Sequence, residues 1–245
     1  MENNFSILIP ARIGSTRLLN KPLIDLYGKS LIQRVYEQAR TISDDVYIAT
    51  DSDLVLNHAT SFTDNVVITS DKHISGTDRV YEAVKKLGIP KNKLIINLQG
   101  DEPFMPCELI QQIVSDYESN DCDVITASHN ISSIEDLLNQ NCVKVEINKN
   151  SFAMDFLREV NTKDLNLYSR HIGIYGYNLE TLESFINLSP SPNEIKLKLE
   201  QLRFMDNKFS IYVTSYDKEV PSGIDTKEDV KKAIKFINMK WLFLN

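Results

Sequence analysis

Ser6-Ile7-Leu8-Ile9-Pro10-Ala11-Arg12-Ile13-Gly14-Ser15-Thr16-Arg17-Leu18-Leu19-Asn20-Lys21-Pro22 is the stretch from which the fold of this chain is read. Its first four residues form a short apolar run of the kind that suits a strand buried on both faces of a parallel sheet. Similar runs recur at residues 46–49, 66–68, 94–98 and 124–127. Between them, Leu31, Ile32, Val35, Tyr36 and Ala39 share one helical face, as do Val80, Ala83, Val84 and Leu87, and then Leu109, Ile110, Ile113 and Tyr117. Strands alternating with helices predict βαβ crossovers and an α/β fold with a mostly parallel, doubly wound sheet. Ligands of such sheets bind beyond the carboxyl ends of the strands, so the loops after the strands are the ones to inspect.

From about residue 140 the alternation loosens. Residues 143–147 alternate with period two, 171–177 and 209–214 read as further strands, and 194–205 and 226–239 read as helices. An inserted β-rich portion is expected there.

The 245 residues carry a formal net charge of -7, with 42% hydrophobic and 25% charged residues, as in a packed globular protein. A net acidic chain speaks against nucleic-acid binding, which calls for a basic face. The N-terminal run from Phe5 to Ile9 is too short for a signal peptide, and no stretch approaches the ~20 apolar residues of a membrane span. Cys107, Cys122 and Cys142 form neither a zinc pattern nor a disulfide framework. The expected location is cytoplasmic, without membrane insertion. The apolar run at 239–244 reads as a docked tail or a subunit contact.

The loop after the first strand holds Arg12, Arg17 and Lys21 and no acid. Cations beside backbone N–H groups at a strand end make a polyphosphate clamp, although a solvated basic loop would have the same composition. Neither GxxxxGK[ST] nor GxGxxG is present. After the fourth strand, Gln99-Gly100-Asp101-Glu102-Pro103 places an acid where it can hold magnesium against a phosphate, or can cap the helix near Pro106. Ser75-Gly76-Thr77-Asp78-Arg79 opens a helix: its N–H groups and Arg79 can receive a base or phosphate, and Ser75 or Thr77 can equally be the N-cap. In Pro221-Ser222-Gly223-Ile224-Asp225-Thr226-Lys227-Glu228-Asp229, the spacing of Asp225 and Glu228 predicts a capping box, which does not prevent Asp225 from meeting a metal. His58, His73, His129 and His171 show no zinc-type pairing. His171 and Tyr175 fall on one strand face at i and i+4, as ordinary core aromatics also do.

Read in order, the segments IPARIGSTRLLNKPL, ATDSD, SGTDR, INLQGDEP, RHIGIYGY, LEQLR and VPSGIDTKEDV resemble the 3-deoxy-manno-octulosonate cytidylyltransferases, from residue 7 to about 230. The resemblance implies a nucleotide-diphospho-sugar transferase fold, a homodimer, and CTP with Mg2+ as co-substrates, serving lipopolysaccharide or capsule supply. It implies one cytidylyltransferase domain over 1–245, comprising a nucleotide-binding portion (1–130), a sugar-binding and dimerisation portion (131–215), and a metal-ligand turn with the last helix (216–245). Carried onto this chain, Arg12, Lys21, Asp101 and Asp225 would be catalytic, with Asp101 and Asp225 ligating the metal. Ala11, Arg12, Ser15, Arg17, Lys21, Ser75, Thr77, Arg79 and Gln99 would seat the nucleotide. Gln99, Arg158, His171, Tyr175, Glu200 and Gln201 would grip an acidic sugar, a ulosonic acid.

The chain departs from the family pattern at several points. The usual Leu-Pro-Gly-Lys-Pro-Leu is Leu18-Leu19-Asn20-Lys21-Pro22-Leu23, Tyr-Phe-Ser-Arg is Asp155-Phe156-Leu157-Arg158, the segment 159–167 is shortened, and the PSGID turn is one residue shorter. The acceptor is therefore 3-deoxy-manno-octulosonate, or else an amino-substituted octulosonate or a sialic-acid-like ulosonic acid. A nicotinamide-dependent oxidoreductase is the reading from another class, and the missing GxGxxG argues against it. A non-catalytic nucleotide binder is a third, against which stand the two retained acids.

Overall fold

A computed structural model of the chain describes residues 4–15, 17–73, 75–218 and 220–244, without the side chains of 240–244. In chain order the elements begin with β1 (Phe5–Ala11), α1 (Leu31–Arg40), β2 (Val46–Thr50), α2 (Asp53–Ala59), β3 (Val66–Ile68) and α3 (Gly76–Leu87). Next come β4 (Leu94–Asn97), α4 (Cys107–Ser119), β5 (Val124–Asn130), α5 (Ile134–Leu138), β6 (Lys144–Ile147) and β7 (Ala153–Leu157). The order ends with β8 (Ser169–Tyr177), α6 (Leu179–Ile186), α7 (Pro192–Leu197), α8 (Gln201–Asp206), β9 (Ile211–Tyr216) and α9 (Lys227–Leu244). The fold is mixed α/β, as the alternation predicts.

Two compact units divide the chain. The first comprises Met1–Ile89, Asn97–Cys107 and Pro221–Asn245; the second comprises Pro90–Ile96 and Glu108–Val220. Residues 90–96 and 108–130 thus group with the second unit and 221–245 with the first.

In the first unit the strand order is β3-β2-β1, and both pairs are parallel, with Ile7 opposite Val46 and Ile48 opposite Val66. Ile7, Leu8, Ile9 and Ile48 are fully buried. Each such side chain contributes roughly 1.5–3 kcal/mol relative to exposure. The predicted face of α1 is the buried one, and Ser30 caps the helix by accepting from Gln33 N–H at 3.2 Å. Leu98 N–H donates to Leu8 O at 3.0 Å, so the chain leaving β4 runs beside β1. That pairing carries Gln99, Gly100 and Asp101 past the start of the cationic loop.

In the second unit the order is β4-β8-β5-β9; β5 is antiparallel to β8 and parallel to β9, and β6 is antiparallel to β7 and β8. Between Thr126 and Ala127 the register against β8 jumps, Thr126 facing Tyr175 and Ala127 facing Ile172. This bulge sets the geometry of one cluster described below.

Three expectations are corrected. The single helix read over 194–205 is two, α7 and α8, because Lys198 takes the left-handed conformation at φ 53° and ends the first. The strand β7 was not foreseen, since Ala153–Leu157 has no clean alternation; it is paired with β6 as a hairpin. The strand read at 209–214 lies two residues later. The apolar run at 239–244 continues α9, and its side chains from Lys240 onward lie outside the described residues. Among the described residues no helix is long and apolar enough to cross a membrane. Cys107, Cys122 and Cys142 are free thiols.

Candidate active site

The cationic loop leaves β1 at the buried Ala11. Ile13 N–H donates to Asp51 Oδ1 at 3.1 Å, and Ser15 Oγ accepts from Leu18 N–H at 3.3 Å, so the loop is braced from within and from the end of β2. Thr16 lies outside the described residues. Leu18 is buried and pins the loop, while Arg12 and Arg17 are exposed. Asn20 is left-handed at φ 50°, and a 3-10 turn over Lys21–Leu23 follows, with Pro22 at its start. Asn is among the few non-glycine residues that adopt this conformation readily, so it can replace the glycine of the family pattern without misdirecting Lys21.

Lys21 Nζ donates to Asp101 Oδ2 at 2.5 Å and to Asp225 Oδ1 at 2.8 Å. Arg17 Nη2 reaches the same Asp225 oxygen at 3.0 Å. Burial alone would lower the Lys21 pKa; the two carboxylates outweigh it and hold the pKa above its ordinary value. The ammonium is therefore charged at neutral pH.

Two glycines lie at this convergence, and at Gly100 the close approach is to backbone. A Cβ on Gly100 would lie 2.7 Å from Pro10 O, and one on Gly223 would lie 2.7 Å from Glu102 Oε1 and 3.3 Å from Asp101 O. Ile224 N–H then donates to Asp101 O at 2.9 Å, placing the 221–225 turn directly on the segment that carries Asp101. The capping box expected at Asp225 and Glu228 is displaced by one residue. Thr226 Oγ1 accepts from Asp229 N–H at 3.2 Å, and Asp229 Oδ2 accepts from Thr226 N–H at 2.9 Å. With the cap supplied by Thr226 and Asp229, the Asp225 carboxylate is left to meet Lys21 and Arg17.

The Ser75–Arg79 segment takes its helix-start role. Ser75 and Asp78 form a reciprocal capping box at the head of α3. Arg79, only 3% exposed, donates to Asp51 Oδ2 at 2.7 Å, Thr69 Oγ1 at 2.6 Å and Ser70 O at 3.4 Å. The guanidinium is thus held within the fold by three acceptors. Arg79 fixes Asp51, whose other oxygen holds the cationic loop at Ile13. Asp51, the residue after β2, carries no role in the sequence reading, and its signal there is an acid at a strand end beside a cationic loop. Thr77 is buried, and Gln99 Nε2 donates to Asn97 Oδ1 at 3.1 Å.

The residues present fit a magnesium ion completed by substrate phosphates. Two hard carboxylate oxygens meet at a single cationic atom, and Mg2+ commonly takes one or two carboxylates and leaves its other positions to phosphate and water. Among the described residues no group of three or more His, Cys, Asp or Glu side chains could hold a metal, which excludes a closed all-protein cage there.

The second unit holds the residues expected to grip a sugar. His171 Nε2 lies 2.9 Å from Thr126 Oγ1, while the Thr126 hydroxyl lies 2.8 Å from Ile174 O. A carbonyl only accepts, so the single hydroxyl proton of Thr126 goes to Ile174, and His171 must donate from Nε2. Burial depresses the His171 pKa to about 3, so the ring is neutral with Nδ1 as an acceptor. Four residues of regular strand span ~13 Å. The His171 and Tyr175 ring centroids are nevertheless 5.5 Å apart, brought together by the bulge opposite Thr126. Burial, and then the charge of Glu200, raise the Tyr175 pKa well above the ordinary range. Gln201 is buried at the head of α8.

Arg158 lies among backbone carbonyls of its own unit. Its Nε donates to Leu197 O at 2.6 Å, Nη1 to Gln140 O at 3.2 Å and Nη2 to Lys198 O at 3.1 Å. Every guanidinium nitrogen is thus on a backbone carbonyl, and the side chain holds the link that leads to Glu200.

A cationic loop at the end of a parallel strand, facing two carboxylates that meet at one cation, is an arrangement that suits a nucleotide-dependent group-transfer enzyme of the α/β class. The family model described as cytidylyltransferase matches residues 6–217, and the chain belongs to that family. It is 41% identical over 248 residues to the 3-deoxy-manno-octulosonate cytidylyltransferase of Francisella tularensis subsp. novicida, covering 96% of this chain and 99% of the relative. It is 40% identical over 250 residues to the enzyme of that name from Thermodesulfovibrio yellowstonii, covering 94% and 97%. Among solved structures it is similar to a CMP:2-keto-3-deoxy-manno-octonic acid synthetase complexed with CTP, with a TM-score of 0.88 and 32% identity over 96% of this chain and 98% of that one. The resemblance read from the sequence, and the fold it implies, therefore hold.

Proposed function

We propose that this enzyme transfers CMP from CTP to the anomeric hydroxyl of 3-deoxy-manno-octulosonate, releasing pyrophosphate. The observation that carries the reading is Lys21 Nζ bridging Asp101 and Asp225 at the mouth of the cationic loop. The relatives' names and the CTP in the similar structure support the same substrates.

Asp101 and Asp225 would hold Mg2+, which supplies charge neutralisation at the α-phosphate and lowers the pKa of the attacking hydroxyl when bound. Arg12, Arg17 and Lys21 neutralise the triphosphate, and most strongly the charge that grows on the departing pyrophosphate. Ser15 and Ala11 shape the loop, Asp51 and Arg79 keep it in place, and Gln99, Ser75 and Thr77 border it. The sugar oxygen bonds to the α-phosphorus as the bridge to the β-phosphate breaks. No protein nucleophile takes part, so positioning and electrostatics supply the acceleration. His171, as an Nδ1 acceptor, together with Tyr175, Glu200 and Gln201, receives the sugar hydroxyls. Arg158 keeps Glu200 in register. We further propose a homodimer, since Leu138, Met154 and Leu167 of the second unit are half or more exposed in the single chain, at 50%, 55% and 53%.

Pyrophosphate release with CTP, Mg2+ and a panel of ulosonic acids tests the reading. Turnover should be highest with 3-deoxy-manno-octulosonate, lower with amino-substituted and sialic-acid-like acceptors, and abolished by EDTA. A chain that made no CMP-linked product from any of them would refute it. Sedimentation velocity of the free enzyme tests the dimer.

A further inference from the structure

α7 is six residues long and α8 is six, too short to be stable alone. Yet they carry the link on which Glu200 and Gln201 stand. One acid ties that link together. Glu194 Oε2 accepts from Ser191 N–H at 3.0 Å and from Arg203 Nε at 2.8 Å, and Glu194 Oε1 accepts from Arg203 Nη2 at 2.5 Å. The Glu194 carbonyl accepts from Leu199 N–H at 3.3 Å, after the left-handed turn at Lys198. One residue therefore joins the head of α7, its end, and α8.

The pair is deeply placed, with side-chain exposures of 12% for Glu194 and 8% for Arg203. The Arg203 guanidinium lies 4.3 Å from the Phe185 ring centroid, which orients its fork. Asn193 Nδ2 donates to Asp206 Oδ1 at 3.0 Å, a second tie between the helices. From outside, Arg158 grips the carbonyls of Leu197 and Lys198. A buried ion pair contributes little stability over an apolar replacement of equal shape, because desolvation offsets the attraction, whereas the two parallel bonds of this fork fix how Glu194 and Arg203 face each other. The geometry specified here is that of the link whose Glu200 charge bears on Tyr175, beside His171.

We propose that Glu194 and Arg203 are positioning residues for the acceptor: their bidentate pair sets Glu200 and Gln201 at the spacing that the acid sugar requires. The inference rests on the proposed function, because it takes Glu200 and Gln201 to face the sugar.

Glu194→Gln and Arg203→Lys, made in the full chain, test it. Gln keeps an acceptor for the Ser191 cap but loses the charge, and Lys keeps the charge but loses the fork. KM for 3-deoxy-manno-octulosonate should rise about tenfold or more in Glu194→Gln and less in Arg203→Lys, with KM for CTP changed less than about twofold. A merely structural pair would lower the melting temperature and leave both KM values where they were; that result overturns the proposal. If Glu194→Gln does not fold, the KM split in Arg203→Lys decides. If the wild-type chain makes no CMP-linked product, the proposed function fails instead. The clamp is then judged by amide hydrogen exchange without substrate, where faster exchange confined to 197–204 in the variant upholds it and unchanged or uniform exchange overturns it.

Discussion

Lys21 Nζ lies 2.8 Å from Oδ1 of Asp225, a residue 204 positions further along the chain, and the same nitrogen lies 2.5 Å from Asp101 Oδ2. One ammonium thus stands between the two carboxylates that would receive the metal. Lys21→Met should lower kcat/KM for CTP by about two to three orders of magnitude, the usual scale for a lost charge donor at a reacting phosphate. It also leaves two carboxylates without their shared cation. Magnesium should therefore raise the melting temperature of the variant more than that of the wild type, as thermal melts with and without MgCl2 will register.

Asp225 and Thr226 are adjacent, and their roles are separate. Asp225→Asn should reduce kcat by about 100-fold or more with little change in melting temperature, because the helix cap belongs to Thr226 and Asp229. Thr226→Ala should cost about 1 kcal/mol of stability and leave kcat within a few-fold. Parallel melts and steady-state assays distinguish the two. An Asp225→Asn enzyme that turned over normally would remove this residue from the site.

Asn20 holds φ 50° immediately before Lys21. Asn20→Gly should change stability by less than about 1 kcal/mol, since glycine enters this region freely. Asn20→Val should cost about 1–2 kcal/mol and reduce activity as well, because the strained turn redirects Lys21. Denaturant melts combined with CTP turnover measure both.

Gly100 passes so close to Pro10 that an added methyl would sit 2.7 Å from its carbonyl oxygen. Backbone must shift to admit it. Gly100→Ala should cost about 1–3 kcal/mol and weaken catalysis by moving Asp101. Chemical denaturation and kcat report the two effects.

His171 is held neutral, with its pKa pushed from 6.5 down to about 3. Between those values the unfolded chain binds a proton that the folded chain refuses. This contribution to stability is therefore complete above about pH 6.5 and declines as the pH falls, by at most about 1.4 kcal/mol per pH unit. Denaturant unfolding of wild type and His171→Gln from pH 4 to 7.5 should show a steeper acid loss in the wild type. Parallel curves would refute the neutral-histidine assignment.

Much of this molecule was legible before any coordinates. The apolar runs became β1 to β5 and the periodic stretches α1, α3 and α4, because strand and helix periodicities are written over a few neighbouring residues. The cationic loop could be picked out the same way, since cations without a single acid are unusual in an acidic chain. Local patterns did not settle competing local choices of similar energy. Asp225 and Thr226 both satisfy capping spacing, and the 194–205 stretch conceals a left-handed break at Lys198.

The tertiary structure alone decided which distant groups meet. Asp101 and Asp225 converge on Lys21 because Leu98 pairs with Leu8, because Gly100 lets its backbone pass within a Cβ's width of Pro10, and because Ile224 N–H bonds to Asp101 O. A bulge brings His171 and Tyr175 into contact, and the packing of α7 turns Arg158 onto carbonyls. Periodicity specifies what a segment becomes, whereas contact between segments depends on sterics and hydrogen bonds that exist only once the chain has packed.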